Sequence, residues 1–358
     1  MPKPIIINRT IKKYNKKIKV DGDKSLSIRF ALLASQAIGK SKAYNLLKSE
    51  DVVSTINCLK KLGVKIKWDK KNNFCLINGN GLNSYVYKDN LTLNGNNSGT
   101  CVRLLTSLLI NSSKKIKIVG DKSLSKRDMK RIIDPLTEFG ATFYPKNKNT
   151  LPLYIKGSNY LTPINYLELK GSSQCKSSVM LAALLAPGET KLMCKPSRNH
   201  TELLFKYLKI PIKIKKIKNF EIIKIKGRQN FNAFNYNVPS DISSSAFFIV
   251  LTLLSKGSKL ILEKVGVNKS RTGVIKILNK MGAKINLKNK KNYKGEIVAD
   301  IHVRSAKSLK SINCPTKLNT SAIDEFLIIF LAAAKAKGIS YFKNLEELNK
   351  KESRRLDW

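Results

Sequence analysis

Acidic side chains are scarce in this chain. Against 68 Lys and Arg, its 358 residues carry 24 Asp and Glu, a formal charge of +44 at pH 7. An imbalance of that size raises a polyanion, either nucleic acid or an anionic membrane, as a partner class. The excess is nearly all lysine, however. Eleven of the 68 basic residues are arginine, and the lysines are scattered among Asn and Ile, as in "KNKKNYKGE" and "IKIKKIKNF". Such a texture is what A/T-biased codons produce, and it reads as a solvated surface. Aromatic–basic interleaving of the RNA-binding kind is also missing.

Histidine is limited to His200 and His302, read as structural or surface positions. The six cysteines (Cys58, Cys75, Cys101, Cys175, Cys194 and Cys314) show no C-x-x-C or zinc spacing, so buried free thiols in a reducing compartment are expected. No metal-ligand cluster appears, and neither a G-x-G-x-x-G nor a Walker loop. The longest apolar runs, "FFIVLTLL" and "FLIIFLAAA", are about half of the roughly 20 residues a membrane helix needs. "PIII" is the one apolar stretch near the N-terminus, too short for a secretory signal. The expectation is a soluble, cytoplasmic protein whose length and 42% apolar content suit two globular domains.

What is present is repetition. A small or polar cap opens an apolar helix, and a short β-branched strand follows. A second helix then ends in a large apolar residue, Gly and Val or Ala, and two strands complete the unit. The stops are "KKLGVKI" at Gly63, "TEFGATF" at Gly140 and "NKMGAKI" at Gly282, with "YLKIPIKI" near Pro211 as a variant without glycine. First helices are predicted to begin near Lys24, Ser98, Ser173, Asp241 and Ser321. This gives four α-β-α-β-β units and a fifth that reaches "SAIDEFLIIFLAAAKA", "ISYF" and the start of a helix at "KKESRRLDW". A sixth unit is missing if two domains carry three each, so the last repeat is expected to be absent.

First helices open on small hydrogen-bonding residues: "DKSLS", "NNSGT", "GSSQC", "SDISSS", "NTSAID". Ordinary N-capping explains any single case. Lys24 with Arg29, and Ser98 with Arg103, add a cation within about a turn, which favours anion sites at the positive helix ends. The arginines sharpen this. Where lysine is so abundant, a retained arginine does what lysine cannot, the planar grip on carboxylate or phosphate. Arg29, Arg103, Arg127, Arg198, Arg271 and Arg355 all sit in these motifs. The implied ligand is a small molecule with several negative groups. Asp324 in "SAIDE" and Glu352 in "KKESRR" are candidates for proton transfer. Each has a plainer reading: Ser321-x-x-Asp324 has capping-box spacing, and Glu352 sits where a carboxylate answers a helix dipole.

One octapeptide occurs almost twice, "GDKSLSIR" at Gly22–Arg29 and "GDKSLSKR" at Gly120–Arg127. The first opens helix one of unit one, and the second precedes helix two of unit two. They are two loops sharing a chemistry, not one repeat position.

Together "GDKSLSIR", "NSGTCVR", "GDKSLSKR", "SSQCKS", "SRNHTE", "DISSSAFF", "SRTG", "AIDE" and "EELNKKES" resemble, in order and spacing, the 5-enolpyruvylshikimate-3-phosphate synthase family, from about Lys16 to Leu356. The resemblance implies an α/β protein with the two-domain enolpyruvyl transferase fold, inside-out barrel-like domains of repeated α-β-α-β-β units facing a cleft. Residues 22–235 form one domain on this reading; 1–21 plus 236–358 form the other, incomplete at its C-terminus. It also implies transfer of the enolpyruvyl group of phosphoenolpyruvate to the 5-hydroxyl of shikimate 3-phosphate, as a monomer, with no cofactor or metal.

Carried over by motif, Lys24, Ser25, Arg29, Ser172, Ser173, Gln174, Ser197, Asp324 and Lys351 resemble contacts to shikimate 3-phosphate. Lys24, Asn97, Gly99, Arg127, Gln174 and Arg355 resemble contacts to phosphoenolpyruvate. Asp324 resembles the acceptor of the 5-hydroxyl proton, and Glu352 the donor to the methylene. Gly99 is the small residue that accompanies glyphosate sensitivity.

The sequence departs from the family pattern at Asp128, where Pro is common, at Ser240, where Gly is usual, and at Arg354, where Asp is usual. A late "H-R" arginine and a late lysine of the family are not found. Three alternatives follow: an inactive or weakly active truncated member, a polyanion-binding protein, and the sister enzyme acting on UDP-N-acetylglucosamine. The last needs a reactive cysteine on the loop that here carries "GDKSLSKR".

Overall fold

The computed structural model describes residues 10–350 and 355–356. The chain divides into two compact units. The larger comprises Asp21–Asp241 with Asn292–Glu296 and the residues from Glu346; the smaller comprises the N-terminal stretch through Val20, Ile242–Lys291 and Ile297–Leu345.

The first strand among the described residues is β1 (Asn15–Ile18), in the smaller unit. The larger unit then carries three repeats. The first is α1 (Lys24–Gln36), β2 (Ile38–Tyr44), α2 (Glu50–Lys61), β3 (Lys65–Asp69) and β4 (Phe74–Asn80). The second is β5 (Leu91–Asn94), α3 (Gly99–Ser107), β6 (Lys115–Val119), α4 (Lys130–Glu138), β7 (Thr142–Tyr144) and β8 (Leu153–Lys156). The third is β9 (Asn165–Glu168), α5 (Ser173–Ala183), β10 (Glu189–Cys194), α6 (His200–Tyr207), β11 (Ile212–Ile217) and β12 (Phe220–Lys226). Next come β13 (Asn235–Asn237), α7 (Ile242–Leu254), β14 (Lys259–Gly266), α8 (Gly273–Lys280), β15 (Ile285–Tyr293) and β16 (Glu296–Arg304), then α9 (Asn319–Ala322) and α10 (Phe326–Ala334).

Each repeat makes a four-stranded sheet of one pattern: β13-β2-β4-β3, β5-β6-β8-β7, β9-β10-β12-β11 and β1-β14-β16-β15. The first strand of each runs parallel to the second and the rest are antiparallel. Chain order is not respected at two edges. β13, late in the chain, completes the first repeat's sheet beside β2, and β1 completes that of the fourth beside β14.

Sequence pattern explains the layering. Alternation in "KIKIV" buries Ile116 and Ile118 of β6 and turns the lysines away from the core. Exposed lysines occupy all four sheets, among them Lys40 and Lys65, Lys156, Lys191 and Lys213, and Lys288 and Lys290. Exposed lysines are therefore spread over the sheets of both units. The helices α1, α3 and α5 pack on one another and are buried almost throughout. In the smaller unit α10 is apolar along its whole length, and α7 is apolar from Ala246 on apart from Thr252. They leave Phe247, Phe248, Leu251, Leu327 and Leu331 exposed.

The helix stops follow the sequence. Gly63 (φ 83°), Gly140 (φ 112°) and Gly282 (φ 94°) take the left-handed conformation after α2, α4 and α8. After α6 the same place falls to Lys209, at φ 57°, and Pro211 follows.

Two expectations fail locally. A single helix from Ser321 with a Ser321–Asp324 capping box is replaced by two helices, α9 and α10, with Ile323–Glu325 as the turn between them. Ser321 is already inside α9 and donates to the Leu318 carbonyl (3.0 Å) instead of capping. Close packing explains the shift: a Cβ on Gly273 of α8 would lie 2.5 Å from Ser321 Oγ. The strand expected at "ISYF" is reduced to isolated bridges, Lys310–Lys337 and Asn313–Tyr341. No helix among the described residues is long and apolar enough to cross a membrane.

Candidate functional site

Three helix N-termini of the larger unit carry the motif residues. Asp23 caps α1 by accepting from Leu26 N (2.9 Å), Ser98 caps α3 by accepting from Cys101 N (3.2 Å), and Ser172 caps α5 by accepting from Cys175 N (3.3 Å). Each side chain thus satisfies one of the N–H groups that a helix start leaves without an intrahelical partner. The partial positive charge of three helix ends remains to favour anions.

The loop before α1 is tied down by backbone bonds, Asp23 N to Pro239 O (2.8 Å) and Asp241 N to Asp21 O (2.9 Å). Lys24 N donates to Asp241 Oδ2 (3.2 Å), while Lys24 Nζ lies 3.6 Å from Asp51 Oδ2. The loop before α5 is shaped by the buried Glu168. Its Oε1 accepts from Lys170 N (2.9 Å) and Ser172 N (3.1 Å), and its Oε2 from Gly171 N (2.9 Å). Three N–H groups on one carboxylate fold the "ELKGSS" stretch around it and present Ser172 and Ser173.

The guanidinium groups divide into two kinds. Arg29, one turn into α1, is buried. Its Nε donates to Thr201 Oγ1 (2.8 Å), its Nη1 to Ser25 O (3.2 Å) and its Nη2 to Ser177 Oγ (2.8 Å). Burial pushes its pKa down to about 10, with the Glu202 carboxylate opposing that shift. Arg103 bridges two elements: Nη1 donates to Gln174 Oε1 (2.5 Å) and Nη2 to Asp128 O (2.9 Å). Gln174 Nε2 in turn donates to Thr100 Oγ1 (3.0 Å). Arg127 Nη2 donates to Asn97 Oδ1 (2.5 Å), and Asn97 Nδ2 to Asp121 Oδ2 (2.7 Å).

Gly99 joins these two chains of bonds. A Cβ there would lie 3.2 Å from Arg127 Nη1 and 3.3 Å from Arg103 Nη1. Asn97, Gly99, Arg127 and Gln174 are therefore neighbours, with Arg103 beside Gly99 and bonded to Gln174; the sequence reading counts Arg103 among the retained arginines without assigning it to a ligand. Asp128, the departure from proline, keeps the loop in order. Its Oδ1 accepts from Lys130 N (2.8 Å) at the start of α4.

Ser197 follows β10. Its Oγ is buried and has no hydrogen-bond partner among the described residues. His200 Nδ1 lies 2.6 Å from Glu296 Oε1 with both side chains buried, which makes His200 a structural residue. All six cysteines are buried free thiols. Burial pushes the pKa of Cys75, Cys175 and Cys194 up to about 12, so these are protonated and inert at neutral pH.

In the smaller unit Asp324 is half-buried in the turn between α9 and α10. Beside it Glu325 is buried, accepts from Ser243 Oγ and lies 3.7 Å from Arg271 Nη2; that nitrogen also donates to Ser243 Oγ (2.7 Å). Arg271 thus grips an internal carboxylate. Arg355 is half-buried in a turn, and Lys351, Glu352 and Arg354 lie outside the described residues. No group of three or more His, Cys, Asp or Glu among the described residues is placed to hold a metal.

Sequence reading missed Glu168, Thr100, Ser177 and Thr201. Glu168 had a local signal, a carboxylate four residues before the Ser172 cap. The partners of Arg29 had none, because Thr201 is 172 residues away in the chain.

Comparison with known proteins is extensive. The family model for EPSP synthase (3-phosphoshikimate 1-carboxyvinyltransferase) matches residues 8–358. The 3-phosphoshikimate 1-carboxyvinyltransferase of Ruthia magnifica subsp. Calyptogena magnifica is 42% identical over 340 residues, 95% of this chain and 76% of the relative. That of Petrotoga mobilis is 38% identical over 346 residues, 96% of this chain and 78% of the relative. Among solved structures, EPSP synthase from Acinetobacter baumannii superposes with a TM-score of 0.85 at 37% identity, covering 97% of this chain and 77% of that one. The enolpyruvyl transferase NikO from Streptomyces tendae shares the fold, with a TM-score of 0.69 at 13% identity, over 91% of this chain and 74% of that one.

Proposed function

The chain belongs to the EPSP synthase family, and on that premise we propose that it transfers the enolpyruvyl group of phosphoenolpyruvate to the 5-hydroxyl of shikimate 3-phosphate in the cytoplasm. The new bond joins the 5-oxygen to C2 of phosphoenolpyruvate, and the C2–O bond to phosphate breaks. The hydroxyl proton leaves as the methylene carbon gains one, and that carbon gives a proton back when phosphate departs.

One observation carries the reading: two bonded pairs, Arg127 with Asn97 and Arg103 with Gln174, meet at Gly99 where α3 and α5 begin. Two anionic substrates repel each other, and holding them side by side calls for fixed donors and cations already in position. We assign Arg127, Asn97, Gly99 and Arg355 to phosphoenolpyruvate and Ser172, Ser173, Ser197, Ser25, Lys351, Asp324 and Arg29 to shikimate 3-phosphate, with Lys24 and Gln174 serving both. Three of the five N–H groups of Arg29 bind protein atoms, so it orients the site as much as it grips ligand. Asp324 is the proposed acceptor of the 5-hydroxyl proton and Glu352 the donor to the methylene.

The test is phosphate release that requires both substrates. Release with the pair and none with either alone is expected; no release with the pair overturns the assignment. With glycine at position 99, glyphosate is expected to inhibit that release in competition with phosphoenolpyruvate, and activity indifferent to millimolar inhibitor counts against the Gly99 assignment. Gly99→Ala places a methyl against both guanidinium groups and is expected to raise KM for phosphoenolpyruvate.

A further inference from the structure

Lys176, in the second turn of α5, is fully buried. Its Nζ lies 2.5 Å from Glu202 Oε1 on α6, 3.7 Å from Glu221 Oε2 on β12 and 3.5 Å from the Ser197 carbonyl oxygen. Enclosing an ammonium costs several kcal/mol in desolvation, and a well-packed apolar side chain of the same volume is often at least as stable. A charge kept in such a place is therefore better understood through what it orients.

It orients the connection after β10. The carboxylates of Glu202 and Glu221 hold the ammonium, and the ammonium holds the backbone of Ser197. That residue's Oγ is buried and has no partner among the described residues, the state of a hydroxyl whose partner is a ligand oxygen. Glu168 performs the matching task for Ser172 through three backbone N–H groups. Two buried polar groups thus fix two serine-bearing segments, the α5 N-cap held by Glu168 and the Ser197 backbone held by Lys176 from within α5.

We propose that Lys176 is a positioning residue for a phosphate cradle formed by Ser172, Ser173 and Ser197: it sets the Ser197 segment against the α5 N-terminus without touching the ligand. This rests on the transferase reading, which gives the cradle the phosphate of shikimate 3-phosphate.

The experiment compares the full chain with Lys176→Met and with the double variant Lys176→Met/Glu202→Gln. It uses calorimetric titration with shikimate 3-phosphate and separately with inorganic phosphate, steady-state KM for both substrates, and thermal unfolding. In Lys176→Met, phosphate affinity is expected to fall and KM for shikimate 3-phosphate to rise by on the order of ten- to a hundredfold, the scale of a misplaced binding group. KM for phosphoenolpyruvate stays within about threefold on the same ground. The double variant relieves the unpaired Glu202 carboxylate and recovers much of the lost melting temperature, while the shikimate 3-phosphate defect persists. This variant decides the matter if the single one does not fold.

Wild-type affinity for both ligands in a folded variant overturns the proposal, as does a double variant whose KM returns to normal with its stability. If the wild type binds inorganic phosphate and Lys176→Met loses it, but no turnover is found, the cradle stands and the transferase reading falls. A wild type that binds neither ligand overturns both.

Discussion

Gly22–Arg29 and Gly120–Arg127 agree at seven of eight positions. In both, the aspartate accepts from the backbone N–H of the leucine three residues on, at 2.9 Å for Asp23 and 2.7 Å for Asp121. There the likeness ends. The first copy continues into the thirteen-residue α1, and the second gives one 3-10 turn over Leu124–Lys126. The residues that follow decide the matter. Ile28 and Phe30 extend an apolar helix into the core, whereas Lys126 and Asp128 are exposed and Arg127 is already extended. The same cap therefore delivers one arginine to a buried hydroxyl network and the other to a half-exposed asparagine. A local motif sets the start of an element, and its sequence neighbours set the depth of what comes next.

The largest effect that separates the copies is expected at their glycines. A Cβ on Gly22 would sit 1.9 Å from the Asn45 carbonyl oxygen and 2.9 Å from Val238 Cγ1, so backbone has to move. On Gly120 the nearest atoms are Leu124 Cδ2 at 2.8 Å and Cβ and Cγ at 2.9 Å, so the contact falls on one side chain and a smaller shift relieves it. Gly22→Ala is expected to cost about 3 kcal/mol and Gly120→Ala about 1 kcal/mol, the two ends of the range for overpacking. Urea denaturation midpoints measure both. Equal losses dissolve the distinction between a packed and a surface loop.

Next come the arginines. Arg29→Met removes the charged donor to Thr201 Oγ1 and Ser177 Oγ, leaving these two buried hydroxyls only each other, and a loss of roughly 2 kcal/mol is expected. Arg127→Met is expected to lose less than about 1 kcal/mol of stability, as for other surface substitutions. Its KM for phosphoenolpyruvate should rise by on the order of a hundredfold, the scale for removing one partner of a charged contact. A stable Arg29→Met, or an Arg127→Met with normal KM, reverses the assignment of depth and ligand.

How much of this the sequence disclosed depends on how local each feature is. The repeats, the glycine stops and the helix starts at Lys24 and Ser173 were legible because capping and periodicity act over a few residues. The edge strands were not. β13 joins β2 from nearly two hundred residues away, and three residues of "NYN" carry no strand signal of their own. The break between α9 and α10 was hidden for a related reason. "SAIDEFLIIFLAAA" has the letters of one continuous helix, and it is divided where Gly273 packs against Ser321 and where Glu325 meets Arg271. Among site residues, motif order singled out Arg127 and Gln174, but nothing local separated Arg103, which bonds to Gln174, from Arg271, which binds an internal carboxylate.

The finest contrast lies in the two capping aspartates. Asp23 is buried and Asp121 is exposed, yet each needs only one oxygen for its cap. Asparagine caps as well as aspartate, so Asp23→Asn and Asp121→Asn are each expected to change stability by no more than about 0.5 kcal/mol. They differ in the second oxygen. Asp121 Oδ2 accepts from Asn97 Nδ2, and that bond points Asn97 Oδ1 at Arg127. In Asp121→Asn an amide nitrogen faces the Asn97 amide nitrogen, Asn97 turns, and Arg127 loses its guide. KM for phosphoenolpyruvate should then rise roughly threefold, the size of one neutral hydrogen bond, and remain unchanged in Asp23→Asn. An unchanged KM in both reduces Asp121 to a cap, and a rise in both moves the effect from the Asn97 bond to the charge that the aspartates share.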